Sequence, residues 1–226
     1  MLAAFFDVDG TLTTTRVWSG IMKYFQEHRI RRATHIAFQA YHYPLYFIYR
    51  SGLITEADFR APWAAHLGWY FRGYDIDEAE KIWDWIVVEY VNKHLRTDVL
   101  GYVENHLNSG NLVALVSGGP LPLLKRIGKE IGVDHVVGTA FEVKDERYTG
   151  RVSGPICLDE NKVTLSQAYL KTNGYKVDLE HSYAYADAIS DKPLLEMVGN
   201  PMAVYPSSEL REKALSQGWQ IFPPET

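Results

Sequence analysis

Leu2-Ala3-Ala4-Phe5-Phe6-Asp7-Val8-Asp9-Gly10-Thr11-Leu12-Thr13 is an apolar run that stops at two carboxylates separated by a single residue. The run is predicted to be a β-strand. A strand ending in Asp-x-Asp-Gly delivers both side chains, or one side chain and one carbonyl, to the carboxyl edge of a sheet, where open α/β folds bind their ligands. Gly10 lets the backbone come close to an anion. The pattern suggests aspartyl phosphotransfer. An ordinary carboxylate is already ionised at neutral pH, so Asp7 would attack phosphorus without a base to activate it. Asp9 would give a proton to the leaving oxygen and take one from water, with its pKa raised by the neighbouring carboxylate. Unit charges about 4 Å apart interact by roughly 4 kcal/mol at an effective dielectric of about 20, so two such anions facing a phosphate require cations nearby.

The rest of the chain supplies groups of that kind in order. Leu112-Val113-Ala114-Leu115-Val116 reads as a buried parallel strand running into Ser117-Gly118-Gly119-Pro120 and a helix from Leu121 to Ile131, a turn where a hydroxyl, flexible backbone and helix N-terminal amides converge on an anion. Lys162 opens the next amphipathic helix as a point charge for phosphate oxygens. Tyr183-Ala184-Tyr185-Ala186 is a short strand ending in Asp187, with Asp191 four residues on. Gly10, Thr11, Ser117, Gly118 and Lys162 are the candidate phosphate-binding residues, and Asp7, Asp9 and Asp187, supported by Asp191, the candidate metal set. All candidate metal ligands are oxygens, which favours Mg²⁺ over Zn²⁺. Taken singly, each feature has a plainer reading: a turn, a helix cap, a surface lysine.

Together the four elements resemble motifs I to IV of the haloacid dehalogenase (HAD) superfamily, in its phosphoserine-phosphatase-like branch, subfamily IB. The resemblance implies Asp7 as nucleophile and metal ligand, Asp9 as acid/base with its carbonyl on the metal, Ser117 and Lys162 on the phosphate, Asp187 on Mg²⁺, and Asp191 acting through the metal's water shell. Members that dehalogenate generally lack an acid/base at the position of Asp9, so the resemblance points to a phosphomonoesterase. A phosphotransferase would keep the same residues, and a non-catalytic phospho-ligand or lipid-binding protein is the rival of another class.

Composition agrees. The 226 residues, 46% apolar, suit one α/β domain with a modest insertion. A net charge of −5 argues against a nucleic-acid partner. The single cysteine, Cys157, makes no internal disulfide and reads as a buried apolar residue, so a reducing, cytoplasmic compartment is expected. The apolar start lacks a basic n-region and runs straight into Asp7, unlike a signal peptide.

Helical spacing fills Arg16–His28, Ile30–Tyr49, Thr55–Trp69 and Asp75–His94, with Thr55 and Asp75 as N-caps. The resemblance makes this a C1-type helical cap, residues 14–93, on a Rossmann-like three-layer α/β/α core of residues 1–13 and 94–226. His135–Val143 and Arg147–Val152 read as a small edge hairpin, and Asn200–Tyr205 and Trp219–Phe222 as the last strands. The aromatic stretch Phe38–Tyr49 is too short and polar to span a bilayer, and Pro44 should kink or split a helix through it. Its plainer reading is a cap core or a dimer surface, leaving the protein a monomer or homodimer. The sharper reading is a wall for an apolar leaving group or a contact with a membrane surface. The substrate is expected to be a small organic or lipid phosphomonoester. Phosphoserine is disfavoured: Arg16 stands where the resemblance expects a glutamate for the ammonium, Leu67 where it expects a cap arginine, and Ser190 where an asparagine is usual. Arg16 either meets an anionic substrate group or lies on the cap surface.

Overall fold

The computed structural model describes residues 1–224; Glu225 and Thr226, the end of the expected core segment, lie outside the described residues. In chain order the elements are β1 (Ala3–Phe6), α1 (Val17–Glu27), α2 (Arg32–Arg50), α3 (Glu56–His66), α4 (Ile76–Ile86), α5 (Thr97–Asn108), β2 (Leu112–Pro120), α6 (Leu121–Glu130), β3 (His135–Thr139), β4 (Phe141–Lys144), β5 (Arg147–Val152), α7 (Glu160–Thr172), β6 (Tyr183–Ala186), α8 (Lys192–Glu196), β7 (Asn200–Val204), α9 (Ser208–Gln217) and β8 (Gln220–Phe222). The main sheet has six parallel strands in the order β3-β2-β1-β6-β7-β8. Every residue of β1 is buried, as a strand covered on both faces requires. Phe6 belongs to the apolar cluster shared with α1, α4 and α6, and Phe5 to the one shared with α7, α8 and α9. The direction of winding reverses at β1, which lies between β2 and β6, and this is the switch point where open parallel sheets place their sites.

Between β1 and α5 the described residues form helices, turns and isolated bridges but no strand. Thr55 and Asp75 each close a reciprocal capping box, with Asp58 and Glu78 respectively. The chain enters and leaves this insertion side by side: Thr13 bridges Leu95, Thr14 N–H donates to His94 O and Arg96 N–H to Leu12 O.

The sequence expectation needs correction in several places. Pro44 neither splits nor ends α2, which runs on to Arg50. Pro44 and Ala40, the residue whose carbonyl loses its donor, are both on the exposed side, so the lost bond falls where the helix faces solvent. The third helix stops at His66 and tightens into a 3₁₀ turn over Leu67–Phe71, and the fourth widens after Ile86 into a π turn over Val87–Val91 and a 3₁₀ turn over Asn92–His94. The expected strand His135–Val143 is two strands: β3 stays in the main sheet, while β4 leaves it to pair with β5. That hairpin follows directly on the edge strand β3 but forms a two-stranded sheet of its own. It joins the helical insertion through Tyr148 N–H to Tyr74 O and Gly73 N–H to Tyr148 O, and buries Phe141 and Tyr148 beside Phe71 and Trp83.

Candidate active site

Asp7 follows the last residue of β1 and is held to the adjacent strand by its own N–H, which donates to Tyr185 O at 2.9 Å. Both carboxylate oxygens have partners. Lys162 Nζ lies 2.6 Å from Oδ1, and Thr11 Oγ1 donates to Oδ2 at 3.1 Å. The hydroxyl of Thr11, expected beside the phosphate, is thus used to orient Asp7. Lys162 extends from the first turn of α7 into the protein with its side chain only 2% exposed, and it also meets Asp191 Oδ1 at 2.5 Å. These partners hold the ammonium charged despite its burial, and its pKa is raised. For Asp191 the balance runs the other way: burial pushes its pKa up further than Lys162 pulls it down.

Asp9 turns toward the start of α1, where Val17 N–H donates to its Oδ1 at 2.7 Å. Its pKa is raised to about 6, first by loss of water around the carboxyl and second by the charge of Asp7. The Asp-x-Asp spacing predicts only the second cause, and burial is the larger. Arg16 Nη1 donates to the Asp9 carbonyl at 3.0 Å, so the guanidinium faces the carboxylates although the residue is exposed. Asp187, after β6, is raised to about 7 by burial and then by Asp7, and its buried Oδ1 has no hydrogen-bond partner among the described residues.

Gly10 explains how Asp187 comes so close. A Cβ there would lie 2.1 Å from Asp187 Oδ2, and the backbone has φ +94°, a conformation glycine adopts without strain. Gly10→Ala is expected to cost about 2–4 kcal/mol and to displace Asp187. Thermal unfolding with and without Mg²⁺ checks this: the variant should melt lower and lose any Mg²⁺-induced rise, and an unchanged melting temperature would contradict the role given to Gly10.

Ser117 and Gly118 line the same cleft; the expected turn Ser117–Pro120 is instead the last part of β2, whose pairing with β3 shifts register there. Ser117 Oγ accepts from Gly119 N–H at 3.2 Å, and Gly118 leaves room for Leu158, whose Cδ2 a Cβ would meet at 2.5 Å. Above these residues opens a chamber of about 450 Å³. Asp7, Asp9, Lys162 and Asp191 form its floor, and its walls come from the insertion: Trp18 of α1, His42, Tyr43 and Tyr46 of α2, and a face of α3. That face comprises Glu56, Phe59, Arg60, Trp63 and Ala64, continued by Leu67. Phe38 lies in the insertion's core and Tyr46 in the chamber wall, but Phe47 is outside both and 68% exposed.

Residues 4–196 match the sequence pattern of the haloacid dehalogenase-like hydrolases. The chain belongs to that family. Its phosphatase-named relatives make it of the phosphatase type among HAD hydrolases. It is 27% identical over 220 residues to a histidinol-phosphatase of Neisseria meningitidis, covering 96% of each chain. A solved protein of unknown function from Bordetella pertussis superposes with a TM-score of 0.84 at 27% identity, covering 98% of each chain. A substrate-bound phosphoserine phosphatase shares the fold, with a TM-score of 0.61 at 19% identity over 94% of this chain and 90% of that one.

Within this HAD site, oxygens of Asp7, Asp187 and Asp191 lie within 4.8 Å of one another. With Asp9 they make a set of four acids against three cations, Lys162, Arg16 and, toward Asp191, Arg60, and the unpartnered Asp187 Oδ1 lies among them. An all-oxygen, net-negative set with a buried unpartnered acceptor fits a hard divalent cation. Sequence reasoning missed Arg60. Leu67 lies in the wall, and an arginine of the helical insertion lines the chamber all the same, two turns earlier on α3. Its ion pairs with Glu56 and Asp159 are loose, at 3.5 and 3.6 Å. The sequence signal was the spacing 56, 59, 60, 63, 64, 67, which marks one helix face without saying what it faces.

Proposed function

We propose that this HAD hydrolase cleaves a phosphomonoester through an aspartyl-phosphate on Asp7, with a ring-bearing or otherwise apolar alcohol as leaving group. The observation that carries the reading is the position of Asp7, oriented by Lys162 and Thr11 at the floor of a chamber with aromatic walls. An Asp7 oxygen forms the new bond to phosphorus while the bond to the alcohol oxygen breaks, and Asp9 donates its proton to that oxygen. Asp9 then takes a proton from water as the water oxygen bonds to phosphorus, which releases inorganic phosphate and restores Asp7. A side chain with a pKa near 6 serves both directions near neutral pH. Lys162 and Ser117 steady the phosphoryl oxygens, and Arg16 adds positive charge at the entrance. Mg²⁺ held by Asp7, Asp9 and Asp187, with Asp191 behind them, would supply charge neutralisation for the phosphate.

Trp18, Phe59 and Trp63 offer ring faces to the alcohol, with Trp18 and Trp63 edge-to-face at 4.9 Å between centroids. The name of the Neisseria relative, a phosphatase of a small imidazole alcohol ester, is in keeping with such a pocket. Phosphoserine, lacking a ring, suits these walls poorly. A panel of small amino-alcohol, sugar, aromatic and long-chain phosphates, assayed with and without Mg²⁺, tests the proposal. Trp63→Leu is expected to raise KM for the preferred ring ester about 10-fold, the equivalent of losing one aromatic contact, and to leave acetyl phosphate turnover within about 2-fold. An equal loss on both substrates would defeat the leaving-group assignment, and retention of a ligand without turnover would favour a binding protein.

A further inference from the structure

The outer face of α2 is inverted relative to an ordinary surface helix. Its inner side buries Phe38 and His42; its outer side, where charged groups normally lie, presents Ile36, Ala40, Tyr43, Phe47 and Ile48, with Leu53 in the turn beyond. Ile36, Phe47 and Leu53 are 65%, 68% and 79% exposed. Scattered apolar side chains need no explanation, but a contiguous stripe along a whole helix marks a contact surface.

Charge indicates what covers it. Between Glu27 and Glu56 the chain carries Arg29, Arg31, Arg32 and Arg50 and no acid, although the protein as a whole is at −5. Arg31 is turned inward, to Arg72 O and the Tyr74 ring. Arg29, Arg32 and Arg50 are exposed and form no ion pair among the described residues. Arg32 and Arg50 are eighteen residues apart, about five turns or ~27 Å, and therefore emerge on the same side of the helix, flanking the apolar stripe. A second copy docked on this face would bring arginine against arginine whether the two helices ran parallel or antiparallel, with no acid on the face to pair with either.

We propose that the outer face of α2 seats the protein on an anionic phospholipid bilayer, with Ile36, Phe47 and Leu53 in the headgroup region and Arg29, Arg32 and Arg50 on lipid phosphates. Tyrosines suit that depth. No helix among the described residues is long and apolar enough to cross a membrane, so α2 lies on the surface. Of the readings open for this stretch, packing inside the insertion describes Phe38 and His42, and the outward residues are left for a contact surface. Tyr43 and Tyr46 also border the chamber, which places its mouth beside the seated face.

Vesicle flotation with the full chain tests this. The protein should float with vesicles containing about 30% phosphatidylglycerol and stay behind with pure phosphatidylcholine. Binding should fall at about 1 M salt, where the screening length is about 3 Å. Ile36→Ser/Phe47→Ser and, separately, Arg32→Gln/Arg50→Gln should each reduce flotation at least about 10-fold, with hydrolysis of a soluble ester within about 2-fold of wild type. Flotation is read without turnover, so its failure is distinct from failure of the proposed reaction. Absence of binding to the anionic vesicles would overturn the proposal. So would a wild-type dimer that Ile36→Ser/Phe47→Ser converts to monomer in sedimentation without vesicle binding, since the face would then be a subunit interface.

Discussion

Asp7→Asn is expected to lower Mg²⁺-dependent phosphate release by at least about 10⁴-fold, with the fold intact. The amide oxygen can still accept from Lys162, so the floor of the chamber keeps its shape, but an amide does not form the acyl phosphate. The charge of Asp7 raises the pKa of both Asp9 and Asp187. Removing it therefore moves both carboxyls down, and Asp9 loses part of its capacity to donate a proton as well. Single-turnover phosphate release, beside a thermal melt, measures both effects. A variant that melts like wild type yet retains about a tenth of its rate would place the nucleophile elsewhere.

Lys162→Met should produce the largest loss of stability. Methionine matches the length of the aliphatic stem but leaves Asp7 and Asp191, 3% exposed each, without the cation that both contact. Removing one partner from a buried ion pair costs about 3–5 kcal/mol, which for a chain of this size lowers the melting temperature by about 10–15 °C. The sign with pH follows from the pair. The lysine's pKa is raised, so its stabilisation is fully present below the ordinary lysine range and is lost only as pH rises through the higher folded value. The variant's deficit should shrink as pH falls and its stranded carboxylates take up protons. Mg²⁺ should recover part of the deficit by binding only the folded state. Differential scanning calorimetry across pH, with and without Mg²⁺, checks this. A melting temperature within about 2 °C of wild type would mean that water replaces the ammonium. Lys162→Arg is not expected to rescue, because a planar fork cannot occupy the point where one ammonium meets two carboxylates.

Local chemistry was legible wherever one strand end or one helix start carried it. Asp7 and Asp9 after β1, Ser117 in β2, Lys162 in α7 and Asp187 after β6 were all identifiable because a parallel strand must be a continuous apolar run and its carboxyl end must be polar. The N-caps Thr55 and Asp75 were legible for the same reason, although the reciprocal bonds from Asp58 and Glu78 that close each box came only with the structure. The hairpin β4-β5 was recognisable as a pair of strands but not as part of the insertion's packing, since Gly73 and Tyr74 are more than seventy residues from Tyr148. In the sequence Thr11 reads as a phosphate ligand, and the structure shows its hydroxyl donating to Asp7, four residues back.

By itself, then, the sequence determined the α/β order of elements, the carboxylates, the lysine and the presence of a helical insertion, because each depends on residues close together in the chain or on an apolar period. Only the tertiary structure decided which side of each inserted helix faces the core, the chamber or solvent. The spacing that makes α3 amphipathic is the same whether Arg60 and Trp63 meet a hydrophobic core or a substrate, and α2 is apolar on both sides. Which side is buried depends on the helices packed against it, and those contacts join residues far apart in sequence.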